Sequence, residues 1–180
     1  VMLTLPPDIF HCCPNCRSTK ISLIDGVRFS CASCQFSYFH NTASAVAAMI
    51  LVEDEILLTR RAKKPGKGLL DLPGGFVNQF ESLEQALTRE IREELSIEMK
   101  DWQYFISFPN QYMYKGVNYH TCDSIFITTL PDKPELSIQQ SEIALAAFYP
   151  LAELPLADIA FDSIRSAITE LIRLRMNKNL

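Results

Sequence analysis

Positive charge is in short supply in this sequence: 17 Lys and Arg stand against 21 Asp and Glu, a net charge of −4. No global basic field therefore invites nucleic acid. Long apolar runs are missing as well. The longest uncharged one, Ala43 to Val52, is about half of what a bilayer span requires, so no membrane partner is expected. The N-terminus shows no basic stretch leading into an apolar one, the pattern of a secretory leader, and a cytoplasmic location is the expectation. Internal repeats and low-complexity tracts are absent. Hydrophobic residues at 48% and charged residues at 21% are the proportions of a globular chain and exclude disorder, collagen and coiled coil. At 180 residues the chain is one domain, or one domain carrying a small appendage.

The cysteines point to the appendage. Five of the six lie in the first 34 residues, at Cys12, Cys13, Cys16, Cys31 and Cys34, and Cys122 stands alone downstream. A disulfide-stapled domain would spread its cysteines through the fold, and five is an odd number to pair. The spacing Cys13-x2-Cys16 and Cys31-x2-Cys34 instead lets two short knuckles present four thiolates tetrahedrally to one Zn²⁺. Between them Lys20 to Ser30 reads as a hairpin with Asp25-Gly26 at its turn. So short a segment buries too little apolar surface to fold unaided, which makes the zinc structural. Cys12-x3-Cys16 is an alternative pairing that the repeated x2 spacing disfavours. His11 and His40 are read as surface residues. Residues 1–42 carry Arg17, Lys20 and Arg28 against Asp8 and Asp25, a net of +1, too weak for a surface that tracks phosphates. A scaffold or dimerisation role fits this zinc ribbon better, and a homodimer is an open expectation.

The remaining chain reads as α/β. Ala45–Val52 and Ile56–Arg60 are strand candidates around an acidic turn, followed by strands at Gln103–Phe108, Ser124–Leu130 and near Phe148. Ile164, Ala167, Ile168, Leu171 and Ile172 mark an amphipathic C-terminal helix. The expected boundaries are a zinc ribbon over 1–41 and a second domain over 42–180. A basic loop carries Arg60, Arg61, Lys63, Lys64 and Lys67, either a solvated segment or a rim that attracts phosphate. Pro73-Gly74-Gly75 is expected as a loop leading to a helix.

That helix starts at a capping box, Ser82 with Gln85 three residues on, and should run to Leu95. Leu83, Leu87, Ile91 and Leu95 form its buried stripe at helical spacing. Glu90, Glu93 and Glu94 cluster at i, i+3 and i+4, and Glu94 falls inside the apolar stripe. Like charges so placed repel. A divalent cation removes that cost, and hard oxygen ligands suit Mg²⁺ or Mn²⁺. The alternative is a salt-bridged helix in which Arg89 pairs with Glu93.

The stretch reads Gly75, five residues, Glu81, seven residues, Arg89-Glu90-Ile91, one residue, Glu93-Glu94, one residue, Ser96-Ile97. It resembles the Nudix box, G-x5-E-x7-R-E-U-x-E-E-x-G-U with U aliphatic, at every defined position except Ser96, where the family has glycine. Gly68-x2-Asp71-Leu72-Pro73-Gly74-Gly75 is similar to the family's approach to the box, with Leu70 where tryptophan is common. A zinc ribbon ahead of such a domain resembles the NADH pyrophosphatase branch of the Nudix (MutT-like) hydrolases.

The resemblance implies an α/β/α sandwich with a mixed sheet, and a pyrophosphohydrolase acting on a nucleoside diphosphate linked to a further group, a small-molecule nucleotide substrate. Carried over by position, Glu90, Glu93 and Glu94 would bind catalytic Mg²⁺ or Mn²⁺, with the Gly75 carbonyl as a further ligand. Arg89 would orient the glutamates and Glu81 would brace the loop. The general base comes from the box or from a later glutamate, and Glu142 stands at a similar position to the latter. Arg60, Phe108 and Tyr112 are candidate substrate contacts; for the aromatic residues, core and strand packing is the competing reading. The branch's downstream signature, similar to S-Q-P-W-P-F-P-x-S, is matched only at Ser107 and Pro109. The substrate therefore stays open among dinucleotides such as NAD(H), ADP-ribose or other nucleotide sugars, and NTPs. Two other functions compete: a non-catalytic ligand sensor on the same fold, and a zinc-ribbon nucleic-acid binder. Glycine is favoured at the left-handed position that ends a helix, so Ser96 should cost about 1 kcal/mol in stability without removing a ligand.

Overall fold

Ten consecutive residues of mostly apolar character, Ala43–Val52, form the longest strand of the first half of the chain, β4, and both of its faces are covered. A strand buried on both sides needs no polar alternation, which is why the run reads as unbroken. The computed structural model describes residues 10–178, and the expectation about a leader concerns residues that lie in part outside this range. These residues divide into two compact units.

The first unit holds the chain through Ala43 together with Gln111–Thr121. Its antiparallel sheet has the order β1 (Ile21–Ile24), β2 (Arg28–Cys31), β3 (Ser37–Phe39). Asp25 and Gly26 take φ of 55° and 71°, the positive pair that a tight hairpin turn demands, and Ile21 faces Cys31 across the ladder. Phe29 is the one large apolar side chain buried among this unit's described residues, with the Phe10 ring 5.5 Å from it. So small an apolar core among the described residues contributes little to holding them together.

The second unit, Ser44–Asn110 and Cys122–Leu180, is built on a mixed sheet. The sheet's strands are β4, β5 (Glu55–Arg61), β6 (Leu70–Asp71), β7 (Gly74–Phe76), β8 (Gln103–Tyr114), β9 (Val117–Thr129) and β10 (Ile143–Pro150), of which β8 beyond Asn110 and β9 before Cys122 belong to the first unit. The order is β10-β5-β4-β9-β8, with β6 on β5 and β7 on β4. Two helices, α1 (Leu83–Leu95) and α2 (Asp162–Lys178), cover opposite faces. Val46, Ala48 and Ile50 point to Ala86, Leu87, Ile91 and Leu95 of α1. Ala47, Met49 and Leu51 point to Ile164, Ala167, Ile168 and Leu171 of α2. This is the expected α/β/α sandwich. No helix among the described residues is long and apolar enough to cross a membrane.

Three elements differ from the reading of the sequence. Gly74–Phe76 is a strand rather than a loop, because Val46 and Ala47 of β4 pair with Gly75 and Gly74. Strand β8 runs well past its expected end at Phe108, since it lies at the sheet edge, where Pro109 need not donate to a neighbour, and β9 begins seven residues before its expected start at Ser124. His40 is not a plain surface residue, for its Nε2 is buried without a hydrogen-bond partner.

Candidate active site

Helix α1 begins as its sequence dictates. The Ser82 hydroxyl accepts from the Gln85 amide at 3.2 Å, and the Gln85 side chain accepts from the Ser82 amide at 2.8 Å. It ends at Ser96, whose φ of 60° and ψ of 31° are left-handed and whose amide donates to the Arg92 carbonyl. The Ser96 hydroxyl also donates to the Ser137 carbonyl at 3.1 Å, a bond glycine could not make.

The apolar stripe of this helix carries Glu94 inward, leaving it 8% exposed. Its Oε2 accepts from the Gly74 amide at 2.9 Å. Burial, with Glu90, Asp71 and Glu142 nearby, still pushes its carboxyl up to about 8. Glu90 is raised too, chiefly by burial and against the pull of Arg89. Its carboxylate lies over Gly75, where a Cβ would stand 2.5 Å from Oε1. Gly75 thus leaves the room that the Glu90 carboxylate fills.

Arg89 ties this corner together. Its Nε and Nη2 donate to Glu81 at 2.7 and 2.9 Å, Nη1 to Glu90 at 2.7 Å and to Glu93 at 3.3 Å, and Nη2 also to the Phe76 carbonyl at 3.0 Å. The Arg89 hydrogen bonds, with one from the Asn78 amide, hold the Glu81 carboxyl down at about 2. The Arg89–Glu93 pair of the salt-bridged alternative therefore exists, as one arm of a larger network. Glu93 is half-exposed and reaches toward that arm.

Glu142 enters from the loop before β10. Its carbonyl accepts from the Ala62 amide at 2.8 Å, its carboxylate meets Lys63 Nζ at 2.7 Å, and its charge acts on both Glu90 and Glu94. Asp71 acts electrostatically on Glu94. Burial raises it to about 6 even though Arg61 opposes this, with Arg61 Nη1 at 2.7 Å. Glu142, Asp71 and Lys63 each stand in stretches the sequence marks, but it assigned Asp71 no role and did not foresee that Lys63 pairs with Glu142.

Each candidate substrate contact has a described neighbour of its own. Arg60 donates to the Gly68 carbonyl at 2.5 Å, closing its own loop. Phe108 packs against the core on the α2 face. Tyr112 belongs to the first unit, its ring 6.4 Å from that of Tyr114. None of the three is brought to the glutamate cluster by a described contact.

Two donor sets suit metals. The Sγ atoms of Cys13, Cys16, Cys31 and Cys34 all lie within 4.8 Å of one another, and the Cys13–Cys34 and Cys16–Cys31 separations are 3.7 and 3.6 Å. Tetrahedral zinc–thiolate bonds put sulfurs about 3.8 Å apart, so the cluster is compatible with Zn²⁺. Arg17 and Gln35, the residues after each second cysteine, take matching φ of 61° and 60°, so the two knuckles are built alike. The Phe36 amide and the Asn15 side chain hold the Cys34 thiol down at about 6. Cys12 is exposed and outside the cluster. The glutamate set is more open, and among the described residues only the cysteines meet that close spacing. Even so, buried and mutually repelling carboxylates beside a strand of glycines form a donor set that fits a hard divalent cation.

The NUDIX domain family model matches residues 41–170. The chain is 32% identical over 126 residues to the NAD-capped RNA hydrolase NudC of Yersinia pestis (strain Pestoides F), covering 70% of this chain and 45% of that protein. It therefore spans less than half the length of that relative. Among solved structures, a NUDIX hydrolase from Nitrosomonas europaea aligns over 92% of each chain at 23% identity with a TM-score of 0.65. The NUDIX domain of Shewanella oneidensis NrtR, in complex with ADP ribose, aligns over 79% of this chain and 91% of its own at 22% identity with a TM-score of 0.62. At these identities the structural likenesses establish the fold.

Proposed function

The chain belongs to the NUDIX domain family, and we propose that it is a divalent-metal-dependent pyrophosphohydrolase. Its substrate would be a nucleoside diphosphate linked to a second moiety. The observation that carries this reading is Glu94: a carboxyl buried in the apolar stripe of α1, held by the Gly74 amide and ringed by further acids. A helix serving only the core would bury leucine there, and a solvated helix would turn the acid outward. Such a cluster gains stability when a cation joins it.

In this reading Glu90, Glu93, Glu94 and the Gly75 carbonyl would hold Mg²⁺ or Mn²⁺. When bound, the cation would neutralise the diphosphate and lower the pKa of the attacking water. The protein's own part is orientation. Arg89 fixes Glu90 and Glu93 from one side, and Glu81 anchors Arg89 in turn. The Gly74 amide fixes Glu94. Glu142 stands beside the cluster as the candidate to take the proton of the attacking water. Hydrolysis would break one phosphoanhydride bond and give two phosphomonoesters. Positioning and charge stabilisation would supply most of the rate. The relative named as an NAD-capped RNA hydrolase supports a dinucleotide diphosphate as the substrate class. The cysteine cluster would hold a structural Zn²⁺ in a ribbon over residues 1–41, ahead of the Nudix domain over 42–180.

The test is hydrolysis of NADH, NAD⁺, ADP-ribose, FAD, nucleotide sugars and NTPs, each with Mg²⁺, with Mn²⁺ and with neither, beside Glu93→Gln. Metal-dependent cleavage lost in the variant is the expected result, and product masses identify the scissile bond. Folded, zinc-loaded protein that cleaves none of them would refute the hydrolase reading.

A further inference from the structure

One ion pair at the candidate site joins two groups that a diphosphate ligand would separate. Lys63 Nζ lies 2.7 Å from Glu142 Oε1, and the two side chains are 49% and 36% exposed. Pairs this open add little to stability, so the fold does not depend on it. Both partners are nonetheless held in place by backbone. Lys63 sits in the loop between β5 and β6, which Arg61 closes through Nε to the Pro65 carbonyl at 2.7 Å and Arg60 through the Gly68 carbonyl. Glu142 is fixed by the bond from the Ala62 amide and by its own amide donating to the Gln139 carbonyl at 2.9 Å. The Gln139 amide reaches the Glu94 carbonyl of α1 at 2.9 Å.

The cations here with described partners differ in use. Arg60 and Arg61, at the end of β5, are engaged with backbone carbonyls and Asp71, whereas Lys63, in the loop, is paired with Glu142. Its ammonium is a compact charge on a long flexible stem, able to move a few ångströms without disturbing the loop. A diphosphate brings concentrated negative charge and several strong acceptor oxygens. Brought close to Glu142 it would repel that carboxylate and attract the lysine.

On the hydrolase reading of this site, we propose that Lys63 exchanges partners: it holds Glu142 in the free protein and moves onto a phosphate oxygen of a nucleoside-diphosphate ligand on binding, freeing the Glu142 carboxylate. Lys63 is then a ligand-binding residue, and Glu142 competes with the ligand for it.

The exchange is tested by titration calorimetry with ADP-ribose in magnesium-free buffer with zinc retained, where no turnover consumes the ligand. Wild type is compared with Lys63→Gln, Lys63→Arg, Glu142→Gln and the Lys63→Gln/Glu142→Gln double variant. Losing one charge-assisted hydrogen bond should weaken binding about tenfold in Lys63→Gln, and Lys63→Arg should recover most of it. Glu142→Gln should bind about threefold more tightly, because the lysine no longer has a competing partner. That gain should vanish in the double variant. Unchanged affinity in Lys63→Gln would overturn the proposal. So would a Glu142→Gln gain that persists without the lysine, which general relief of negative charge would produce. Cleavage of the substrate panel alongside a flat Lys63 cycle sinks the exchange alone. An intact cycle without cleavage sinks the hydrolase reading alone, and wild-type protein that neither binds nor cleaves sinks both.

Discussion

Replacing Glu94 with glutamine separates a carboxylate kept for a cation from one that merely packs. Glutamine has nearly the same shape, and its carbonyl can accept the Gly74 amide bond. Burial, then the Glu90, Asp71 and Glu142 charges, moves the carboxyl from 4.5 to about 8. An acid raised in this way ionises in the unfolded chain above pH 4.5 but stays protonated in the folded protein until about pH 8. Through this group the magnesium-free protein therefore loses stability as pH rises across that window, and the loss levels off above it. At pH 7 roughly 2.5 pH units of the window have been crossed, at about 1.4 kcal/mol each, which sets a ceiling of about 3 kcal/mol. Glutamine has no such proton to lose. Glu94→Gln should therefore exceed wild type by up to about 3 kcal/mol at pH 7 without magnesium, roughly 5–10 °C in Tm, and the two should converge near pH 4. Added Mg²⁺ should stabilise wild type by mass action and leave the variant unmoved. Thermal melts from pH 4 to pH 9, with and without magnesium, measure all of this. Equal stability at pH 7, or a difference that does not vary with pH, would refute the reasoning.

The other predictions concern single atoms. In Gly75→Ala the added methyl would stand 2.5 Å from Glu90 Oε1; displacing that carboxylate should lower kcat about 100-fold with an unchanged circular dichroism spectrum, and wild-type turnover would exclude the Glu90 role. Ser96→Gly relieves left-handed strain of about 1 kcal/mol but forfeits the hydroxyl bond to Ser137, worth about as much. Tm and turnover should both stay close to wild type, and a large rise in turnover would show that the serine cripples the site. One zinc per chain should be found by atomic emission, kept in Cys12→Ser and lost in Cys34→Ser, while zinc retained in the latter would remove the four-cysteine site.

What could be read from the sequence was local. The capping box at Ser82, the left-handed Ser96, the Asp25-Gly26 turn and the inward azimuth of Glu94 all depend on residues a few positions apart, where helix and turn geometry fix the outcome. The course of β8 past Pro109 was not legible, because a proline breaks a strand or not according to whether a neighbour needs its amide, and edge position is a property of the whole sheet. Gly74–Phe76 misled for the same reason: glycines read as a loop until β4 is seen to pair with them.

The candidate site divides along the same line. Spacing on α1 carries direction as well as identity, so Arg89, Glu90, Glu93 and Glu94 could be placed together before any fold was known. Arg60, Phe108 and Tyr112 were selected by residue type, and type carries no direction. The fold turns Arg60 to the Gly68 carbonyl and Phe108 to the α2 face, and sets Tyr112 in the other unit. Lys63 and Glu142 show the converse. Lys63 has no spacing that marks it, and Glu142 is reached from the sequence only through its position in a family pattern, yet backbone bonds from Ala62 to Glu142 and from Gln139 to Glu94 set the pair beside the cluster. Groups that a helix presents are thus legible from one sequence, whereas groups that loops present depend on which carbonyl each loop closes upon. The groups that touch ligand in this fold should be sought by following those closures rather than by counting aromatic and basic residues.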